Sequence, residues 1–241
     1  MRHDPAAGGP VVFLLRVMSL AAVLAGAGCS PLPSAPAGQQ SNAPAAVRAD
    51  SGGESRGSQL TAGDEPPADF LPLTLTSRWE YDVEYQAPLA DPRQATAVTR
   101  VEGQRTIAGK PYFKVLLEVS IPLVPKSVTY YRKTAAGVFQ ILEGEEDDGE
   151  WLYLPAELEA GKRWTAAAGS KQLAFEVLGR EDVSCGDTVY PDCIHLAVKI
   201  KSSLGTNQQE QWLAAGVGIV KQSDQTLLFK SVSTLRPGKT E

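Results

Sequence analysis

The sequence predicts an all-β, mainly antiparallel fold, built as a single curled sheet or half-barrel with little helix. Apolar and polar residues alternate with period two along most of residues 69–241, as they do in strands with one buried face. Turn-forming residues separate these runs. No segment shows the 3.6-residue apolar period that an amphipathic helix requires.

The strands can be placed in order along the chain. The first carries Trp79, Tyr81, Val83 and Tyr85, with polar residues between them, so one of its faces is aromatic. The same alternation returns at residues 113–121, 173–177 and 194–200. Turns are predicted at residues 108–111, 143–149, 160–161, 185–187 and 223–224.

An internal repeat is the second architectural prediction. Ala-Ala-Gly-Val occurs at residues 135–138 and again at 214–217, and other features recur in the same order about 80 residues apart. We therefore predict a duplicated antiparallel meander over residues 71–141 and 154–222, which would give one long twisted sheet. Chance reuse of turn residues is the alternative.

Residues 1–28 are predicted to be an export signal. Arg2 and Arg16 carry positive charge, and the apolar run over residues 17–28 is shorter than the roughly 20 residues of a membrane span. Such a segment is removed before the mature domain folds.

The signal ends in LAGAGC, which resembles a bacterial lipobox, although Gly26 stands where Leu, Val or Ile is usual. We expect cleavage before Cys29 and attachment of lipid, such as palmitate, to its sulfur; an ordinary secretory signal with an incidental Cys29 is the alternative. Acyl chains would anchor the protein to a membrane of the cell envelope. Ser30 follows instead of Asp, which favours the outer membrane in a diderm bacterium.

Residues 29–68, the lipidated cysteine and a linker, precede the β domain at residues 69–241. The linker is rich in Pro, Ala, Gly and Ser and has no aromatic residue, so it cannot bury enough apolar surface to fold. The whole chain has 241 residues and a formal net charge of −5. Net negative charge argues against a nucleic-acid partner.

Short motifs bracket the β domain. Leu-Pro-Leu precedes Trp79-x-Tyr81, and Trp212-x-Ala-x-Gly-Val-Gly-x-Val closes the domain. These motifs resemble those of bacterial exported lipoproteins of unknown function, although Thr76-Ser77 replaces the usual glycine of the opening motif. Some of that group are similar in fold to the lipoprotein carriers LolA and LolB. The resemblance implies a β half-barrel in the envelope and brings no catalytic residues.

Few residues suggest catalysis or a cofactor. Only His195 remains after the signal is removed, and it lies on the strand face opposite Ile194 and Leu196. No nucleophile elbow, Walker loop or dinucleotide motif is present. We therefore expect a protein that is not an enzyme and holds no cofactor.

No metal site is predicted either. The acidic residues among 143–150 do not fit a calcium loop and are expected to form a solvated turn. Cys185 and Cys193 flank a hairpin turn. In an oxidising compartment such a pair favours a disulfide over a zinc site, with two free thiols as the alternative.

Large aromatic residues are the remaining functional signal. A curled sheet could wrap them around a cavity for an apolar ligand, although a plain packed core is the commoner use. The candidate ligand face consists of Trp79, Tyr81, Phe113, Trp164, Phe175 and Trp212.

The sequence thus favours a lipid-anchored domain outside the cytoplasm with a binding or structural role in the cell envelope. Its expected partners are the membrane, through Cys29, and an apolar ligand or an envelope protein. A carrier or receptor for lipid or lipoprotein is one alternative, by analogy of fold alone. A hydrolase is the least favoured alternative.

Overall fold

The computed structural model describes residues 68–121, 124–146, 149–203, 205–227 and 229–238. The export signal, Cys29 and the linker up to residue 67 lie outside these residues. Within them the regular structure is β-sheet, in these strands: β1 (Arg78–Gln86), β2 (Arg93–Ile107), β3 (Lys110–Val119), β4 (Ser127–Thr134), β5 (Gly137–Leu142), β6 (Trp151–Pro155), β7 (Arg163–Ala168), β8 (Lys171–Cys185), β9 (Thr188–Ser202), β10 (Gly205–Ala214), β11 (Gly218–Thr226) and β12 (Phe229–Leu235).

The strands form one antiparallel sheet, and its order explains how it closes. The order is β6-β5-β4-β3-β2-β1-β12-β11-β10-β9-β8-β7. The first and last strands therefore pair with each other, with Tyr81 opposite Leu235, while β6 and β7 form the two edges. The prediction of an all-β, antiparallel, curled sheet is confirmed. The sheet curls further than a half-barrel, into a nearly closed barrel whose open seam lies between β6 and β7.

Among the described residues, no helix is long and apolar enough to cross a membrane.

Equivalent features recur in the two halves of the sheet. β2 carries a bulge between Val101 and Gly103, and β8 carries one between Val177 and Gly179. The Val101 amide donates to the Ser77 carbonyl just before β1, and the Val177 amide donates to the Lys162 carbonyl just before β7, each over 2.9 Å. A bulge kept at one position in both halves fits the predicted duplication, which remains a prediction.

The two Ala-Ala-Gly runs do not form the same turn, contrary to expectation. Each run joins the fourth strand of its half to the fifth: β4 to β5 in the first half and β10 to β11 in the second. The first turn has two residues, with Thr134 opposite Gly137. The second has three, with Ala214 opposite Gly218. Gly137 begins β5 with a φ of 135°, whereas Gly216 lies within the turn with a φ of 72°; both are positive values that favour glycine. The same Ala-Ala-Gly sequence therefore forms two different turns in this protein.

Residues 69–77 enter the barrel before β1 and close one end of it; we call this segment the plug. Its apolar side chains Phe70, Leu71 and Leu73 are buried in the main core. Asp69 holds the start of the plug, because its carbonyl accepts from the Gly216 amide over 2.8 Å and its carboxylate Oδ2 lies 2.6 Å from Lys133 Nζ. The plug is therefore fixed by burial and by two polar contacts.

A smaller apolar cluster lies on the outer face of β2–β5 and includes Tyr112 and Tyr130. Glu150 lies over it, and its Oε1 is 2.6 Å from both Lys110 Nζ and Arg132 Nη2. Glu150 also accepts a hydrogen bond from the Tyr112 hydroxyl. The expected solvated turn is thus wrong for Glu150, because its carboxylate covers apolar surface while two cations neutralise it.

Candidate functional site

Four polar side chains form a closed hydrogen-bonded ring inside the barrel, on β10 and β11. Gln209 lies directly opposite Asp224, and Gln211 lies opposite Gln222. Residues two apart on a strand share a face, so these four side chains project into the interior together. We call them the amide–carboxylate ring.

Hydrogen bonds run from Gln211 along both sides of the ring to Asp224. Gln209 Nε2 donates to Asp224 Oδ1 over 2.6 Å, and Gln222 Nε2 donates to Asp224 Oδ2 over 2.8 Å. Gln211 Nε2 donates to both amide oxygens, Gln209 Oε1 at 3.1 Å and Gln222 Oε1 at 3.3 Å. The Tyr153 hydroxyl donates to Gln211 Oε1 over 2.7 Å. Each amide orientation is fixed by the acceptor-only carboxylate at one corner.

Asp224 is a buried acid without a cation. It is 3% exposed, and none of the ion pairs among the described residues includes it. Burial raises the pKa of Asp224 to about 6, against the opposing effect of the hydrogen bonds from Gln222 and Gln209. Ionisable groups with strongly perturbed pKa values in an interior are concentrated at functional sites, although structural networks perturb them too.

A cavity of about 130 Å³ lies beside the ring. Its lining combines polar side chains, which include three members of the ring, with apolar side chains, which include Leu71 and Leu73 of the plug. The lining residues are Leu71, Leu73, Trp79, Tyr81, Ala97, Thr99, Val115, Leu117, Thr129, Tyr131, Gln140, Tyr153, Gln209, Gln211, Ile219, Gln222 and Ser233.

Gln140 gives this cavity an unpaired acceptor. The residue is 3% exposed, and its Oε1 atom has no hydrogen-bond partner. A buried polar atom without a partner costs roughly 1–3 kcal/mol. A ligand or water that donates a hydrogen bond to this atom would recover that free energy.

The structure brings two of the six candidate ligand-face residues to the cavity. Trp79 and Tyr81 line it, and both are already hydrogen-bonded: Trp79 Nε1 donates to the Val217 carbonyl over 2.7 Å, and the Tyr81 hydroxyl donates to the Ile219 carbonyl over 3.0 Å. These bonds fix both rings at the plugged end of the barrel.

The other inward aromatic residues lie elsewhere. Phe113 packs against the core without lining the cavity. Trp164 and Phe175 stack in parallel near the seam, with ring centroids 4.9 Å apart. Trp151 contacts Phe175 on the other side of the seam, at 6.0 Å. Trp151 and Phe175 are buried in the main core, and Trp164 and Phe175 also line a second pocket together with residues of β9 and β10.

Trp212 is a correction to the candidate ligand face, because it lies on the face of β10 opposite Gln211. Its ring stacks on His195 at 4.4 Å, and its Nε1 donates to Glu181. His195 Nδ1 lies 3.1 Å from Glu181 Oε1. Trp212 therefore belongs to an outer-face cluster, which also partly buries His195.

The expected disulfide is not formed, and Cys185 and Cys193 are both free and buried. The hairpin turn pairs Cys185 with Thr188, which leaves Cys193 farther along the ladder opposite Glu181. Burial raises the pKa of both thiols, that of Cys193 to about 11. Deeply buried neutral thiols of this kind are chemically inert.

Sequence reasoning missed the ring itself. Residues 223–224 were expected to form a turn, but Ser223 and Asp224 lie within β11. The available signal was the spacing, since Gln209-x-Gln211 and Gln222-x-Asp224 each put two polar groups on one strand face. No group of three or more metal-ligating side chains occurs in the described parts of the chain.

No family model matches the chain, and no curated protein matches it. Two solved structures are similar to it. One, from Bacteroides fragilis NCTC 9343, is described as an inferred exported protein with a YmcC-like fold; it is 12% identical, at a TM-score of 0.40, over 70% of this chain and 97% of that one. The other, an inferred lipoprotein from Parabacteroides distasonis ATCC 8503, is 12% identical, at a TM-score of 0.41, over 71% of this chain and 98% of that one.

Proposed function

We propose that this chain is a lipid-anchored binding protein of the bacterial cell envelope, without catalytic activity, that holds a small ligand in the barrel. The observation that carries the proposal is the interior cavity with the unpaired Gln140 Oε1 atom. A largely apolar lining with a few polar groups is typical of a small-molecule site.

The size of the cavity favours a small ligand over a lipid. An engineered cavity of about 150 Å³ in another protein accommodates benzene, and the cavity here measures about 130 Å³. Leu71 and Leu73 of the plug line its apolar side. A long acyl chain would have to displace the plug, so we propose a ligand, or a ligand group, of about the size of one ring.

Ligand binding is tested on the Cys29→Ser chain by native mass spectrometry after gentle purification, followed by denaturing extraction. We expect the Cys29→Ser chain to retain a small molecule in the cavity. The additional substitution Ala97→Leu, which fills the cavity from β2, should abolish this binding. Ala174→Leu, on the exposed face of β8, is the matched control and should keep the ligand. A clean apo mass for the wild-type interior, together with no binding from a fragment collection, would refute the proposal.

Anchoring is tested separately. We propose that Cys29 carries the lipid and that the protein resides at the outer membrane. Radiolabelled palmitate should enter the wild-type protein and not the Cys29→Ser variant, which should move to the soluble fraction. Ser30→Asp should shift the lipidated protein towards the inner membrane on a density gradient; an unchanged distribution would refute the outer-membrane assignment.

A further inference from the structure

The amide–carboxylate ring gives the cavity a negative electrostatic character. Asp224 is buried without an ion-pair partner among the described residues, and no lysine, arginine or histidine lines the cavity. The carboxylate does not itself line the cavity, but Gln209 and Gln222 do. In a low-dielectric interior its field is weakly screened, so a cation in the cavity is favoured and an anion is opposed.

The ring passes this negative character to the cavity wall. The side-chain amide nitrogens of Gln209 and Gln222 both donate hydrogen bonds to the Asp224 carboxylate. A chain of hydrogen bonds polarises its members, so donation to a carboxylate makes each amide oxygen a stronger acceptor. Each of these oxygens accepts one bond, from Gln211, and an amide oxygen can accept two.

A third acceptor is unpaired. Gln140 Oε1 is buried on the β5 side of the same cavity and has no donor. The cavity therefore offers three amide oxygens as acceptors next to an uncompensated negative charge. A protonated amine is the group that matches both properties, because it offers only donors and carries a positive charge.

We infer that the cavity selects a small organic ammonium ion, with an apolar group about the size of one ring, over neutral and anionic molecules of the same shape. The inference rests on the proposed binding function and specifies its ligand class. The apolar group would pack against Leu71, Leu73 and Leu117, and the ring of Trp79 adds an aromatic surface that favours a cation.

Three probes of nearly equal shape test the charge selection: benzylamine, which is protonated at neutral pH, benzyl alcohol and benzoate. Binding to the Cys29→Ser chain is measured by calorimetry and by chemical-shift changes. We expect benzylamine to bind at least about tenfold more tightly than benzyl alcohol, with benzoate weakest, given the Coulomb term at a protein-like effective dielectric.

Asp224→Asn should remove the preference for the amine over the alcohol. The exposed Asp91→Asn in the β1–β2 turn removes the same charge from the surface and should leave that preference unchanged. If Asp224→Asn fails to fold by near-ultraviolet circular dichroism, Gln140→Met is the second variant. It removes the unpaired acceptor and should weaken benzylamine more than benzyl alcohol.

The outcomes separate this inference from the proposed function. Equal binding of all three probes would overturn charge selection but leave a binding cavity in place. An amine preference that survives in both Asp224→Asn and Gln140→Met would overturn the assignment to these residues. No binding of any probe would overturn this inference, while the mass of the purified chain decides independently whether the cavity holds some other molecule.

Discussion

Replacing Asp224 with Asn is the sharpest test of the buried ring, because it removes the charge and keeps the shape. Burial raises the pKa of Asp224 to about 6, about two pH units above the usual aspartate value. Each such unit corresponds to about 1.4 kcal/mol, so keeping this carboxylate ionised in the folded state costs about 3 kcal/mol at neutral pH.

The sign follows from proton uptake. Between about pH 4 and pH 6 the folded protein holds the Asp224 proton more tightly than the unfolded chain does, so this group makes stability fall as pH rises through that window. Asn cannot titrate. The unfolding free energy of Asp224→Asn minus that of the wild type should therefore increase by about 2 kcal/mol between about pH 4 and pH 7.

The assay is urea denaturation of the Cys29→Ser chain at several pH values, followed by tryptophan fluorescence. Using the difference between two proteins cancels most other titrating groups, and it also cancels a constant effect of the new amide on the ring. Asp91→Asn is the control and should run parallel to the wild type. If the Asp224→Asn curve also runs parallel to the wild type over this range, the carboxylate is not held at a raised pKa and the reasoning about the ring is wrong.

Two further predictions concern backbone and thiols. Gly137→Ala should destabilise the protein by at least about 3 kcal/mol, because a Cβ there would lie 2.9 Å from Pro155 Cα and overlap the β6 backbone. Gly216→Ala meets open space and only the strain of a left-handed φ of 72°, so it should cost about 1–2 kcal/mol; equal losses in thermal or urea unfolding would contradict the difference between the two turns. In the Cys29→Ser chain, Cys185 and Cys193 should resist a thiol reagent when folded and give two reactive thiols when unfolded. One or none after unfolding without reductant would indicate a disulfide.

Alternation along strands could be read from the sequence wherever the inward face is apolar. Trp79, Tyr81 and Val83 of β1 are buried as predicted, and so are Ile194 and Leu196 of β9. The fold class followed from such strands because burial of one face imposes period two. Closure of the sheet did not follow, since it depends on the pairing of β1 with β12 across the whole length of the domain.

The ring was missed for a physical reason. In β11 the inward side chains Gln222 and Asp224 are as polar as those facing outward, so apolar alternation vanishes where the function is proposed. Trp212 was misplaced because it was assigned to the inner face as a large aromatic residue, whereas its register places it opposite His195 on the outer face of β10.

Because the open seam lies between β6 and β7, the strand order is that of a simple meander whose chain begins in the middle, at β1, instead of at an edge. Because β12 ends beside the start of β1, with the Arg236 amide donating to the Glu80 carbonyl over 2.8 Å, the chain could be joined there by a linker that carries the plug. New termini opened at residues 156–162 would then give a circular permutant in which every strand is hydrogen-bonded to its neighbour in sequence. Such a permutant would keep every strand pairing while moving the proposed membrane attachment to the open edge.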